Sequence, residues 1–280
     1  MTTKRVVLIC GICLAASLLP AATRAQQDEP PRPRAPTWAS LLAVGGYEQH
    51  LFNSSGGEDW SGFMVEGSFK PAGGGPWLAS VTSFFRPRAE GNGAVLAVGK
   101  YLELGWGYAY LGGAAGWGAS YLPLAQGTGD LDVAIGNSGL VFGGGVVFTE
   151  VNDHQHQDIL GQLGPTLYAL GSVFTCRFLL NNSNPGSNLS YGVLATARHG
   201  TSDREPWQSV TVTAGTEAYQ IVTNNPSVPG TDVHNTGVHV TADVFQPLTQ
   251  RHALRLTVDW GRKFDSYYLF GGTLRWVLLF

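Results

Sequence analysis

The sequence predicts an all-β fold, a transmembrane antiparallel β-barrel of about fourteen strands placed after a cleaved signal peptide. Three observations carry that prediction. Only 13% of the 280 residues are charged, against about 25% in a water-soluble domain. Glycine occupies 38 positions, about twice its usual share of about 7%, beside eight Trp, ten Tyr and thirteen Phe. From Trp38 to the last residue, apolar and polar side chains alternate at period two in segments separated by turn formers. That is the pattern of a barrel wall with lipid on one side. The aromatic content argues against disorder. A net charge of −3 offers no basic field and excludes nucleic acid as a partner. After residue 20 no run approaches the roughly 20 apolar residues of a membrane helix.

Residues 1–25 read as a secretory signal peptide. Lys4 and Arg5 form the basic start, residues 6–19 the apolar stretch, and Thr23-Arg24-Ala25 a small-residue processing site before Gln26. An uncleaved anchor is the alternative reading. Cys10 and Cys13 each follow Ile, unlike a lipoprotein cysteine, so the mature chain keeps only Cys176 and forms no internal disulfide. Residues 26–36 (QQDEPPRPRAP) are polar and proline-rich, a short disordered periplasmic leader. Residues 37–280 make the barrel.

Fourteen segments are predicted at 38–50, 60–70, 77–86, 93–103, 106–115, 121–135, 140–151, 157–168, 171–181, 188–199, 207–220, 234–246, 251–262 and 268–280. Merging two short ones would give twelve. The last is the clearest: Phe270, Gly272, Leu274, Trp276, Leu278 and Phe280 share one face, and Gly271, Thr273 and Arg275 the other. Leu254, Leu256, Val258 and Trp260 likewise oppose Arg255, Thr257, Asp259 and Gly261, and Phe63, Val65, Gly67 and Phe69 oppose Met64, Glu66, Ser68 and Lys70. A secreted sandwich would turn the apolar face into a core; a barrel turns it to lipid. Two features favour the barrel. The chain ends on a strand at an aromatic residue, with Trp276 and Phe280 resembling the C-terminal signal read by the outer-membrane assembly machinery. Trp60, Trp77, Tyr101, Trp106, Tyr121, Trp207 and Tyr267 fall near segment ends, where interfacial girdles lie. Outer connections are expected at LFNSSGGED, NDHQHQ, NNSNPGSN and VTNNPSVPGTD, and inner ones at PAGGGP, GNSG, QPLT and GTSDREP.

Further residues carry a family resemblance. Gly45-Gly46-Tyr47-Glu48, Asp59-Trp60 and Glu66-Gly67-Ser68-Phe69-Lys70 are followed by Gly75-Pro76-Trp77, Arg86 and Gly99-Lys100-Tyr101. Tyr108-Ala109-Tyr110 and Tyr121-Leu122-Pro123-Leu124 come next. In this order they resemble the YaiO-type family of outer-membrane β-barrels. The chain departs in lacking an arginine after the Leu-Pro pair and in its His-rich 152–158 stretch. The resemblance implies a single barrel in the bacterial outer membrane and supplies no catalytic residues.

The candidate site is the lumen. Glu66, Lys70, Arg177, Arg198, Glu217, Asp243, Arg255, Asp259 and Arg275 fall on polar faces, where they must be paired or hydrated. Arg255, Asp259 and Arg275, on adjacent terminal strands, form the most compact set. The charges read either as a constriction ordering permeating solutes or as a salt-bridged filling that conducts nothing. His154 and His156 lie two apart, as metal ligands on a strand do, but in an expected outer loop without a third ligand. His50 with Ser54, or His199 with Ser202 and Asp203, could form a Ser-His-acid set, though neither lies in a nucleophile motif. No phosphate loop, dinucleotide fingerprint or zinc spacing is present, and no metal or cofactor is expected. The expected role is a narrow pore or an accessory for solute or surface-glycan passage. The alternatives are a non-conducting structural or surface-interaction barrel and a lipid-modifying enzyme. Expected partners are outer-membrane lipids, the assembly machinery, and polysaccharide or small solutes.

Overall fold

A computed structural model describes residues 39–53, 56–72, 74–86, 91–186, 188–221, 231–263 and 267–280. The expected signal peptide and leader lie outside these residues. Fourteen strands follow one another: β1 (Leu41–Asn53), β2 (Gly56–Phe69), β3 (Trp77–Phe84), β4 (Gly93–Leu104), β5 (Gly107–Trp117), β6 (Pro123–Ile135) and β7 (Leu140–Val151). They continue with β8 (Gln157–Ala169), β9 (Ser172–Asn184), β10 (Asn188–His199), β11 (Trp207–Ile221), β12 (Thr231–Pro247), β13 (His252–Lys263) and β14 (Tyr267–Leu279). Each pairs antiparallel with its sequence neighbours, and β1 pairs with β14 to close the barrel. Closure leaves no free sheet edge, the condition for a β-structure to cross lipid.

The fourteen predicted segments are all present, with ends moved by up to a few residues. The largest movements lie at the outer end, where LFNSSGGED is nearly all ladder: Phe52 pairs with Gly57 and Asn53 with Gly56. Cross-strand hydrogen bonds persist into polar sequence above the lipid belt, so the apolar pattern underestimates strand length. β12 reaches 17 residues, against roughly 9–11 needed to span.

The lipid face is carried by Phe63, Phe69, Leu96, Val98, Leu111, Phe142, Val146, Leu163, Phe178, Leu256, Phe270 and Leu274, all exposed. Both termini of the described chain lie at one end, called inner here, with short connections at 105–106, 136–139, 170–171 and 248–251. The tightest, at 170–171, holds Leu170 and Gly171 at φ 53° and 69°, the left-handed pair that matches hairpin twist. The interior at this end is apolar. Ala39, Ala43, Phe245, Ala253, Val277 and Leu279 are buried against one another, with Leu41 and Trp207 packed on them.

Candidate functional site

Arg275 on β14 and Asp132 on β6 are the most enclosed lumen charges among the described residues, each 7% exposed. Arg275 is the centre of the first cluster. Its guanidinium donates to Glu66 Oε1 at 2.9 Å and to Thr257 Oγ1 at 2.6 Å. Thr257 in turn donates to Asp243 Oδ1 at 2.6 Å, and Arg255 Nε donates to the same oxygen at 3.0 Å. Arg255 also lies 3.7 Å from Glu66. Arg255 and Arg275 sit directly opposite in the β13–β14 ladder, where like charges repel, and the two carboxylates offset that repulsion. Glu66 can reach Arg275 across β1 because Ala43 and Gly45 stand between them in register. A side chain on Gly45 would overlap the Leu274 carbonyl oxygen and lie 2.6 Å from Arg275 Cγ.

Asp259 does not join this group, although sequence proximity placed it there. It accepts from Thr241 Oγ1 at 2.8 Å and faces His239 Nε2 at 3.7 Å. The ladder explains the separation, since Asp259 pairs with Gly271 rather than Arg275. Arg177 belongs to a second cluster. Its Nη2 donates to Asp132 Oδ1 at 2.8 Å, and Nη1 donates to the Gly164 carbonyl. Gln162 donates to Asp130 beside it. Both carboxylates occupy space left by inward glycines of β7: a side chain on Gly143 would overlap Asp132 Oδ1, and one on Gly145 would overlap Asp130 Oδ1. Asp130 and Asp132 were missed as site residues, though their period-two spacing inside a predicted strand was the available signal. Lys70 pairs with Glu103 at 3.2 Å, and Arg198 with Asp203 at 3.1 Å. Glu217 is a β11 position paired with Asn235; its side chain lies outside the described residues.

Trp77 and Trp106 of the expected girdle are exposed. Trp60 and Tyr121 instead sandwich the Arg86 guanidinium, 3.6 and 3.7 Å from the ring centroids. Tyr101 packs against Tyr110 with tilted rings 4.8 Å apart, and Trp207 stacks on Phe245 at 5.5 Å. Tyr267 faces Lys263 at 5.7 Å. Strand parity explains the correction: Trp60, Tyr101 and Trp207 each stand three residues from an exposed Phe63, Val98 or Val210, and so face the other way. The exposed aromatics include Trp117, Tyr191, Trp260, Tyr268, Trp276 and Phe280.

The proposed Ser-His-acid sets are not assembled. His199 Nδ1 meets Ser172 Oγ at 3.1 Å, Asp203 is taken by Arg198, and Ser202 Oγ accepts the Arg204 N–H. His50 Nδ1 meets Asp59 Oδ1 at 2.6 Å, while Ser54 lies outside the described residues. Among the described residues, no three His, Cys, Asp or Glu are grouped to hold a metal. The 152–156 turn is organised by Asp153, whose carboxylate accepts the Gln155 N–H at 2.9 Å, the His156 N–H at 3.0 Å and the His156 ring. Although burial acts to raise it, these hydrogen bonds hold the Asp153 pKa below its ordinary value. The order they confer is present above the ordinary carboxylate range and lost as pH falls through the lowered folded value. Protection of the Gln155 and His156 amides, taken relative to their intrinsic exchange at each pH, should therefore fall on acidification, and Asp153→Asn should remove that dependence; an unchanged protection profile would refute the role.

Among the described residues, cavities lie at both ends of the lumen. The inner, about 370 Å³, is lined by Glu66, Ser80, Tyr110, Arg198, Asp203 and Arg255 among others. The outer, about 640 Å³, is lined by Gln126, Thr149, Asp158, Asn181, Thr213 and His239 among others. A closed fourteen-stranded barrel with an apolar outer face and an ion-paired interior defines an integral protein of the bacterial outer membrane. Residues 44–220 match the family model described as the YaiO membrane beta barrel domain, and the chain belongs to that family. None of the curated proteins compared with the sequence matches it. Solved barrels similar to it include Acinetobacter baumannii Omp33, with TM-score 0.49 and 11% identity over 86% of this chain and 99% of that one. A structure described as a bacterial polysaccharide outer membrane secretin gives 0.46 and 9% over 86% and 98%. An anion-selective porin from Comamonas acidovorans gives 0.43 and 8% over 87% and 99%.

Proposed function

We propose that this barrel is a narrow pore for small polar solutes, saccharide units of surface glycans among them, in which the paired-charge layer limits passage. The observation that carries the reading is the layout of the lumen charges. Glu66, Asp243, Arg255 and Arg275 neutralise one another across four strands, yet cavities remain on both sides of the barrel's length. Opposed carboxylates and guanidiniums at a constriction orient dipolar solutes without selecting strongly for one ion sign. The outer cavity supplies amide and hydroxyl groups suited to polyhydroxylated solutes.

The apolar filling of the inner end by Phe245, Val277 and Leu279 favours a second reading, a non-conducting structural or surface-interaction barrel. Planar-bilayer recording of the refolded mature chain separates the two. The pore reading expects small, stable conductance steps in the native protein. In Arg255→Ala, larger steps with a shift toward cations are expected, because Glu66 and Asp243 then outweigh Arg275. Silence in both proteins, with a heat-shifted folded band on gels, would overturn the pore and support the second reading.

A further inference from the structure

We propose that the β10–β11 turn, residues 200–206, is a lid over the inner mouth of the lumen, latched by two arginines and released as a unit. The proposal gives the pore reading a regulated mouth and rests on it for its purpose, but not for its test.

The turn leaves its own hairpin. Arg204 Nη2 donates to the Phe280 carbonyl at 3.1 Å, although β14 lies three strands beyond β11 in the barrel order. The turn is thus tied to the neighbouring β8–β9 turn at its start, where the Gly200 N–H donates to the Gly171 carbonyl at 2.9 Å, and from there reaches over part of the mouth to the end of β14. On the near side Arg198 holds it from within the lumen, through Nε to the Gly200 carbonyl at 3.0 Å and Nη2 to Asp203 at 3.1 Å. The Asp203 carboxylate is itself part of the inner cavity wall. Arg198 is fixed in turn by the Trp207 ring, 4.2 Å beneath its guanidinium.

Its composition distinguishes this turn from a packed filling. Thr201-Ser202-Asp203-Arg204-Glu205-Pro206 contains no large apolar side chain, and the apolar packing nearby belongs to Trp207 and Phe245 on the strands. A segment held by polar contacts alone opens at lower free energy than a buried one. The hinge is visible at Gly200, whose φ of 94° is open to glycine and disfavoured for other residues. A side chain there would meet Trp207 Cβ at 2.6 Å and the Pro206 carbonyl oxygen at 2.9 Å. The first residue of the turn thus lies close against its last.

The test uses Cys176→Ala to remove the natural thiol and Ser80→Cys as a reporter in the inner cavity. Labelling by a small membrane-impermeant maleimide is timed in intact cells, where only the outer route is open, and in outer-membrane fragments, where both ends are. With the lid latched, labelling is slow in both preparations. Asp203→Ala or Arg204→Ala should raise the rate about tenfold in fragments alone, the factor for one lost charge-assisted hydrogen bond. Replacing 201–206 by a short Asn-Gly turn should raise it further. Heat-shift gels confirm that each variant is folded; the latch and turn changes lie between β10 and β11, and the Ser80→Cys, Cys176→Ala protein is the common background. Labelling in fragments that is already fast in the reporter protein, or that ignores both latch changes and the shortened turn, would overturn the lid. Absent conductance with intact latch dependence would overturn the pore and leave the lid standing.

Discussion

Arg275→Ala is expected to destabilise the folded barrel by about 3–5 kcal/mol, the usual cost of removing one partner from a buried ion pair. The guanidinium is enclosed and serves Glu66 and Thr257 directly, with Asp243 3.8 Å away. Without it, two carboxylates share the single cation Arg255, and the Thr257 hydroxyl loses a donor. Arg255→Ala should cost less, because that side chain is far more exposed to the lumen, 29% against 8%. Urea titration of refolding, followed by the heat-shifted band, measures both. Equal midpoints for the two variants would refute the assignment of Arg275 as the centre of the network.

Gly45→Val is expected to abolish the closed barrel. Gly45 stands opposite Arg275 on the seam where the first strand meets the last. Its added side chain would collide with the Leu274 backbone oxygen, which cannot move without breaking the ladder, and with the Arg275 stem. The adjacent Gly46→Val is the control. There the nearest obstacle to an added Cβ is the Gly62 carbonyl oxygen at 3.5 Å, an ordinary contact, and the side chain points to lipid. Folded protein should be lost in the first variant and retained in the second. Retention in both would show that β1 and β14 tolerate a wider spacing than the present register.

The lipid face and the strand count were legible because both depend on local geometry. Successive strand residues point to opposite sides, so Phe270, Leu274 and Trp276 declare the outside of β14 without reference to any other strand. The same parity assigns Glu66, Asp243, Arg255 and Arg275 to one side of the wall, and these four side chains pair with one another. Where parity was set aside for a positional rule, as for Trp60, Tyr101 and Trp207, the side chains were assigned to the wrong face. The inward apolar residues Val277 and Leu279 were not legible as a core, because they become one only against Ala43, Phe245 and Ala253 on other strands.

Pairing within the lumen was beyond the sequence for a related reason. Glu66 and Arg275 are 209 residues apart and meet only when β1 closes on β14 with Gly45 and Ala43 between them. Asp259, sixteen residues from Arg275 in the chain, is carried to a different level by the ladder register. Alternation determined which side chains enter the barrel, since it follows from the pleat of each strand. Register and closure decided which of them meet, since those distances are set by hydrogen-bonded ladders between segments that no local pattern aligns.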